Sequence, residues 1–515
     1  MNLSTLLSTR AAVAPDEVAL VGITRSWTWA EADARVGRLG AALRAAGVQV
    51  GDRVGVHLHK SDDGWLAMHA VVRIGAVAVP LDPGAPKARL ERICSTMGIR
   101  VVVAHDPRRT MVQELAQVLD AVIGLTAAVD GLRTITTAEV EELSPVLPAD
   151  MSLDGPAYII TTSGSTGEPK GIVHTHASGL AYARESAELY GLTPSDRVAD
   201  TAPNHFDQST FALWSAALAG STVITMPEPH QRMPASFSER LANEAVTVWY
   251  GVPFLLQQLA LRGDLDNRDL SALRWVKFGG EVPPPWVIAA ICEHAPNATM
   301  ANIYGPAECN QCSFHHLTAP PLPGEAIPIG VPTPSATMRL AAPDASHPGA
   351  VGERTEGEIW VAGPTLMQGY FGLDEVNAAR LVEHEGVRWY RTGDLGRVDD
   401  AGTWWFLGRV DHQVKVRGHR IELEGLEAEL ESLPGVEHVI ASVARRDGGE
   451  DSVVVGVFPA GDYDEGAFRE GARSLLPPYA LPTHFLTMSG KKFTGSGKLD
   501  RGALRREVLA SVETE

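Results

Sequence analysis

The segment from 157 to 176, AYIITTSGSTGEPKGIVHTH, restricts the fold more than any other stretch of the chain. Ala157 to Thr162 is a run of apolar and β-branched residues and reads as a buried strand. It opens into Ser163-Gly164-Ser165-Thr166-Gly167-Glu168-Pro169-Lys170-Gly171, and a second apolar run follows. Glycines let a backbone turn tightly and approach a ligand closely. Consecutive backbone N–H groups in such a turn form an anion-binding concavity. The hydroxyls of Ser163, Ser165 and Thr166 and the ammonium of Lys170 add donors, so the loop has the chemistry of a polyphosphate cradle. It is not a Walker loop, which sets Gly-Lys-Ser/Thr at the start of a helix; here Glu168 and Pro169 intervene and Gly171 follows the lysine. A solvated linker would not be flanked by two buried runs.

Length and charge narrow the partners. A chain of 515 residues exceeds what one hydrophobic core serves, so two or more domains are expected. With 44 Lys+Arg against 63 Asp+Glu the net charge is −19, which excludes nucleic acid as an expected partner. An acidic chain that binds a polyphosphate must concentrate positive charge locally, and Lys170, Arg409, Lys415 and Lys498 are the candidates. No run of 18 apolar residues occurs and the N-terminus lacks a long apolar core, so neither a membrane span nor a signal peptide is expected. Four cysteines fit a reducing, cytoplasmic setting. Cys309-Asn-Gln-Cys312 with His315 and His316 looks like half of a zinc site, but the second pair is missing; a pocket wall followed by a strand is the better reading.

Periodicity organises the rest. Helices are expected at 29–46 and 284–294, and strands at 53–59, 75–81, 273–278 and 299–304. Residues 246–260 read as strand, turn and helix. Such alternation argues for α/β architecture with buried sheets. From about 320 to 408 glycine and proline become frequent and strands short, as in a small β-rich unit. A separate α+β unit follows, with a helix at 423–433 and strands near 438–443 and 452–458.

The glycine-rich loop resembles the phosphate-binding signature of the acyl-adenylate-forming superfamily, and further motifs appear in the family order. Asn302-Ile303-Tyr304-Gly305-Pro306-Ala307-Glu308 resembles its Asn-x-Tyr-Gly-Pro-Thr-Glu motif. Tyr390-Arg391-Thr392-Gly393-Asp394-Leu395 resembles the ribose motif, 408–424 the hinge motif, and Thr494 to Asp500 the C-terminal lysine motif. The resemblance implies a large α/β N-terminal domain at 1–408, with two packed α/β subdomains and the β-rich subdomain at 320–408. It also implies a hinge at 409–411 and a mobile α+β C-terminal domain at 412–515.

It implies ATP and Mg²⁺ as well, with roles residue by residue. Ser163, Gly164, Ser165, Thr166, Gly167 and Lys170 would hold phosphates. Asn302, Tyr304 and Gly305 would hold adenine, and Asp394 and Arg409 the ribose. Glu308 would ligate Mg²⁺, a hard cation that takes oxygen donors. Lys498, with Glu308 and Thr166, would stabilise the reacting phosphorus. Rotation about Asp411 would then bring Gly418 to the site for a thioester step. Ala307 departs from the usual Thr and removes one hydroxyl.

Asn204-His205-Phe206-Asp207-Gln208-Ser209 resembles the Phe-Asp-x-Ser motif of amino-acid-activating members, whose aspartate binds the substrate ammonium. A carboxylate against an apolar pocket is costly unless paired, so Asp207 argues for an amine. Counting from the motif anchors places Gln208, Phe211, Tyr250, Val276, Phe278, Ile303, Gln311 and Cys312 around the side chain of the substrate. The aromatic fillers leave little volume and favour a small L-amino acid, alanine first; glycine, serine, proline or a small β-amino acid stay open. The expectation is a free-standing ligase that loads a separate phosphopantetheinylated carrier protein. Arg445, Arg446, Arg505 and Arg506 are either docking charges for it or ordinary solvated surface, the latter favoured. The competing readings are an acyl-CoA synthetase and a nucleotide-binding module without catalysis.

Overall fold

The computed structural model of the chain describes residues 1–515 except 164–167, 282, 323–324, 343, 351, 353–354, 411–412, 417, 445–450, 491, 493–500 and 513–515. The chain divides into two units. One holds Met1–Pro83, Met97–Thr161 and Gly171–Val410; the other holds Gly84–Thr96, Thr162–Lys170 and Asp411–Glu515.

In the first unit, short runs of β-branched residues form two large sheets. One has nine strands, and its centre is Arg197–Asp200, Val248–Gly251, Trp275–Gly279 and Thr299–Tyr304, all parallel. The other has eight strands, with Pro156–Ser163 and Val77–Pro80 side by side and parallel. The inner strands, such as Val77–Pro80 and Trp275–Gly279, are buried on both faces, as parallel sheets require. The two sheets share one core, which takes Val54, Val56, Tyr158 and Ile160 from one and Val198, Val248, Ala301 and Ile303 from the other. Helix Asp62–Arg73 belongs to that core, and every residue from Gly64 to Arg73 is buried. Ser61 caps it by accepting from the Gly64 N–H, and Asp62 and Asp63 favour its positive end. The opposite face of the nine-stranded sheet carries a second core, in which Trp249, Val276, Phe278 and Met300 meet helices Pro253–Arg262 and Pro285–His294.

The β-rich stretch is a five-stranded antiparallel sheet built from Thr337–Ala341, Glu356–Ala362, Val387–Val398, Leu381–His384 and Trp404–Arg409. The second unit carries a three-stranded sheet whose pleat separates two cores. Val439, Ala441, Val453 and Val455 face one, while Ile440 and Val454 face the other. Helix Arg501–Val512 packs on this sheet, and Arg505 is buried there against Glu427 at 3.0 Å. Arg505 is therefore a structural ion pair and not a surface charge, because its buried guanidinium donates to Glu427 and, at 3.1 Å, to the Ala441 carbonyl. Arg506 is exposed, and Arg445 and Arg446 lie outside the described residues.

Candidate active site

The motif residues of the first unit gather at the ends of the central parallel strands, where open α/β sheets bind ligands. Thr299–Tyr304 delivers Asn302 and Tyr304 and then turns at Gly305. A side chain at Gly305 would collide with the Asn310 carbonyl, so the turn demands glycine. Asn302 is buried and donates its amide to the Pro328 carbonyl at 2.8 Å. The Tyr304 hydroxyl donates to Asp394 at 2.7 Å. Burial and then the Asp394 charge push the Tyr304 phenol well above its ordinary range.

Asp394 and Arg409 face each other across strands Val387–Val398 and Trp404–Arg409, and the guanidinium bonds the carboxylate directly. Thr392 braces the group, with its Oγ1 accepting from the Asp394 N–H at 3.0 Å. Tyr304, Asp394 and Arg409 thus form one network.

Glu308 is fully buried, and the Tyr370 hydroxyl donates to its Oε1 at 2.7 Å. Tyr390 lies 3.1 Å from that same hydroxyl. Nearby, His174 Nε2 sits 2.9 Å from the Ala307 carbonyl. A carbonyl only accepts, so Nε2 carries the proton and the ring is neutral. Burial holds its pKa down at about 4. His174 and Tyr370 were not singled out from sequence. Both lie in segments whose pattern reads as ordinary strand, and only the fold sets them beside the 302–308 turn.

The loop that contains Gly164, Ser165, Thr166 and Gly167 lies outside the described residues, as do Asp411 and Lys498. Ser163 ends strand Pro156–Ser163, and Lys170 starts the strand Pro169–Thr175 beyond the loop. In the second unit Gly418 occupies the turn between Gln413–Val416 and His419–Glu422, with φ of 82°, a conformation that favours glycine.

Several residues expected around the substrate side chain lie on or beside the nine-stranded sheet. Asp207 lies in a turn tied by the Thr210 hydroxyl, which donates to the Asp207 carbonyl at 2.5 Å. Its charge reaches the phenols of Tyr158, Tyr182 and Tyr250; burial first, and this carboxylate among the further causes, holds all three above the ordinary range. Phe211 meets Tyr250 edge-on at 6.0 Å and Tyr190 at 6.1 Å. The Gln311 amide donates to the Tyr190 hydroxyl at 3.0 Å. Gln208 is a hydrogen-bond partner of Tyr250. Asp207, Gln208, Phe211, Tyr250, Ile303 and Gln311 therefore belong to one region.

Three expected lining residues do not. Val276 and Phe278 belong to the second core, on the far face of the sheet. Tyr250 pairs in register with Lys277, and Lys277 with Ala301, so Lys277 takes the pocket face. A one-residue offset in a strand turns each side chain to the other face, and that offset is the error in the count from the motif anchors. Cys312 is turned away from its neighbour Gln311 and packs with Cys309, Met338 and Ile359. Among the described residues no group of three His, Cys, Asp or Glu side chains could hold a metal. The missed signal is Lys277 itself, a lone charge inside Trp275-Val276-Lys277-Phe278.

Residues 7–371 match the family described as AMP-binding enzyme, and the chain belongs to that family. The chain is 33% identical over 502 residues to an L-proline--[L-prolyl-carrier protein] ligase of Pseudomonas fluorescens, covering 96% of this chain and 97% of that one. It is also 33% identical over 512 residues to the phenyloxazoline synthase MbtB of Mycobacterium sp. (strain MCS). That match covers 98% of this chain but 42% of the relative, so the chain spans less than half of that protein's length. Among solved structures, the amide bond synthetase McbA of Marinactinospora thermotolerans shares the fold, with a TM-score of 0.84, 23% identity and coverage of 98% and 99%. Among the described residues no helix is long and apolar enough to cross a membrane.

Proposed function

We propose that the chain activates a small amino acid as its aminoacyl adenylate and passes it to the phosphopantetheine thiol of a separate carrier protein. The observation that carries this reading is Asp207, a carboxylate set among Tyr158, Tyr182 and Tyr250, whose phenols all feel its charge. Asp207 stands where the Phe-Asp-x-Ser motif of amino-acid-activating members has the carboxylate that binds the substrate α-ammonium. The printed name of the prolyl relative gives the same chemistry for that protein.

In the first step a carboxylate oxygen of the amino acid attacks the α-phosphorus of ATP. A P–O bond forms, the bridging bond to the β-phosphate breaks, and pyrophosphate leaves with the electron pair. The protein's task is positioning and charge stabilisation. Asp394, held by Arg409 and Tyr304, would orient the ribose. Asn302 and Tyr304 would hold adenine, and Ser163 to Lys170 the phosphates. Glu308 fits Mg²⁺ in donor type, being a buried carboxylate bonded by the neutral phenol of Tyr370. Bound there, the ion would neutralise charge on the phosphate oxygens. Lys498 would steady the reacting centre, and Asp411 and Gly418 would serve the thioester step. Phe211 and Tyr250 keep the side chain short, which leaves alanine, glycine, serine, proline and a small β-amino acid as neutral candidates.

The test is ATP–pyrophosphate exchange over the standard amino acids, followed by thioester formation on a phosphopantetheinylated carrier protein. Amino-acid-dependent exchange and label on the carrier are expected. Exchange only with simple carboxylic acids, with the product appearing on coenzyme A, would make the chain an acyl-CoA synthetase. No turnover of either kind would leave a nucleotide-binding module.

A further inference from the structure

Lys277 stands at the centre of a parallel sheet, paired in register with Tyr250 on one side and Ala301 on the other. Its side chain is fully buried. The Nζ has no hydrogen-bond partner among the described residues. Three aromatic faces surround it, with Nζ at 3.6 Å from the ring centre of Phe211, 3.8 Å from Tyr190 and 4.5 Å from Tyr250. Ring faces offset part of the cost of dehydrating an ammonium, but they supply no acceptor for its three N–H groups. Burial alone drives the Lys277 pKa well below its ordinary value, and no carboxylate acts to raise it. The other buried lysine of this unit differs sharply: Lys60 pairs with Asp200 and lies 3.0 Å from the Asn204 side-chain oxygen.

Two of the rings around Lys277, Phe211 and Tyr250, also bound the substrate side chain. The Asp207 charge also acts on Tyr250. Tyr250 thus lies within reach of both the Asp207 carboxylate and the Lys277 amine, and an anion beside that amine would hold its proton. On the amino-acid-activation reading the substrate ammonium lies at Asp207, and a substrate that also supplies Lys277 with an acceptor carries a second carboxylate, besides the one that reacts.

We propose that Lys277 is a specificity-determining residue, pairing with the side-chain carboxylate of a short acidic amino acid. The inference rests on the amino-acid-activation reading and narrows it from neutral small residues to dicarboxylic ones. Phe211 and Tyr250 limit the length, so aspartate ranks ahead of glutamate.

The experiment is exchange with L-aspartate, L-glutamate, L-asparagine, L-alanine and L-proline, on the wild-type chain and on Lys277→Met. A site built for a charged partner rejects the neutral isostere strongly, so aspartate should exceed asparagine in kcat/KM by at least about a hundredfold. Lys277→Met fills the aromatic box with an apolar side chain. It should lose most of the aspartate activity and shift the preference to asparagine or alanine, with its melting temperature showing that it folds. Alanine or proline exceeding both acids in the wild type would overturn the inference and leave amino-acid activation standing. Aspartate activity undiminished in a folded Lys277→Met would overturn it as well. Exchange with no amino acid would sink the broader reading instead. If Lys277→Met does not fold, the wild-type comparison decides.

Discussion

At the scale of single residues, the site depends on hydrogen bonds that fix its charged groups before a ligand arrives. The Tyr304 hydroxyl donates to Asp394, which Arg409 also holds. Removing a donor to a buried carboxylate costs about 1.5–3 kcal/mol. Tyr304→Phe should therefore raise the KM for ATP by about tenfold or more while the fold persists; an unchanged KM would show that this bond plays no part in ribose placement. These residues were legible in the sequence because side chains of unusual type stand at short spacing, as in Asn302-Ile303-Tyr304-Gly305. Tyr370 and His174 were not, since a tyrosine or histidine inside a strand looks the same whether it fills a core or braces a site.

At the scale of the element, strand Trp275–Gly279 shows where sequence reading succeeds and where it stops. Its existence follows from Trp275, Val276 and Phe278, residues of β-forming character, just before Gly279-Gly280. Its facing does not, because the strand is buried on both sides and apolar alternation is absent. Tyr250 in register with Lys277 decides the matter only in three dimensions. The facing predicts that two phenylalanines behave differently. Phe278→Ala empties part of the second core, and should cost about 3–5 kcal/mol of stability with the amino-acid preference unchanged. Phe211→Ala should instead widen the range of side chains accepted. Denaturant melts and exchange profiles of the two variants check this; a changed preference in Phe278→Ala would return Phe278 to the pocket.

At the scale of the whole molecule, the first unit buries several histidines as neutral rings. Burial is the largest cause in each, lowering His57 and His69 to about 3, and His174 and His176 to about 4. Their ordinary value is about 6.5. The native state then binds fewer protons than the unfolded chain once the pH drops below that value. Their contribution is fully present above about pH 6.5 and is lost as the pH falls toward the folded values. Each such ring costs about 1.4 kcal/mol per pH unit in that window. The urea midpoint should therefore fall steadily from pH 7 to pH 5, and His57→Gln or His176→Gln should flatten the slope. A midpoint independent of pH in that range would mean that these rings protonate without unfolding. The α/β class was legible from periodicity. The buried histidines were not, because nothing in their local sequence marks them as dry.

The central claim is that Asp207 reads an ammonium group, which separates amino-acid activation from activation of a plain carboxylic acid. The most direct measurement compares ATP–pyrophosphate exchange with the best amino acid and with its des-amino analogue, in the wild type and in Asp207→Ala. The expected result is exchange at least about a hundredfold faster with the amino acid, and loss of that advantage in Asp207→Ala. Equal exchange with the des-amino acid in the wild type would contradict the account.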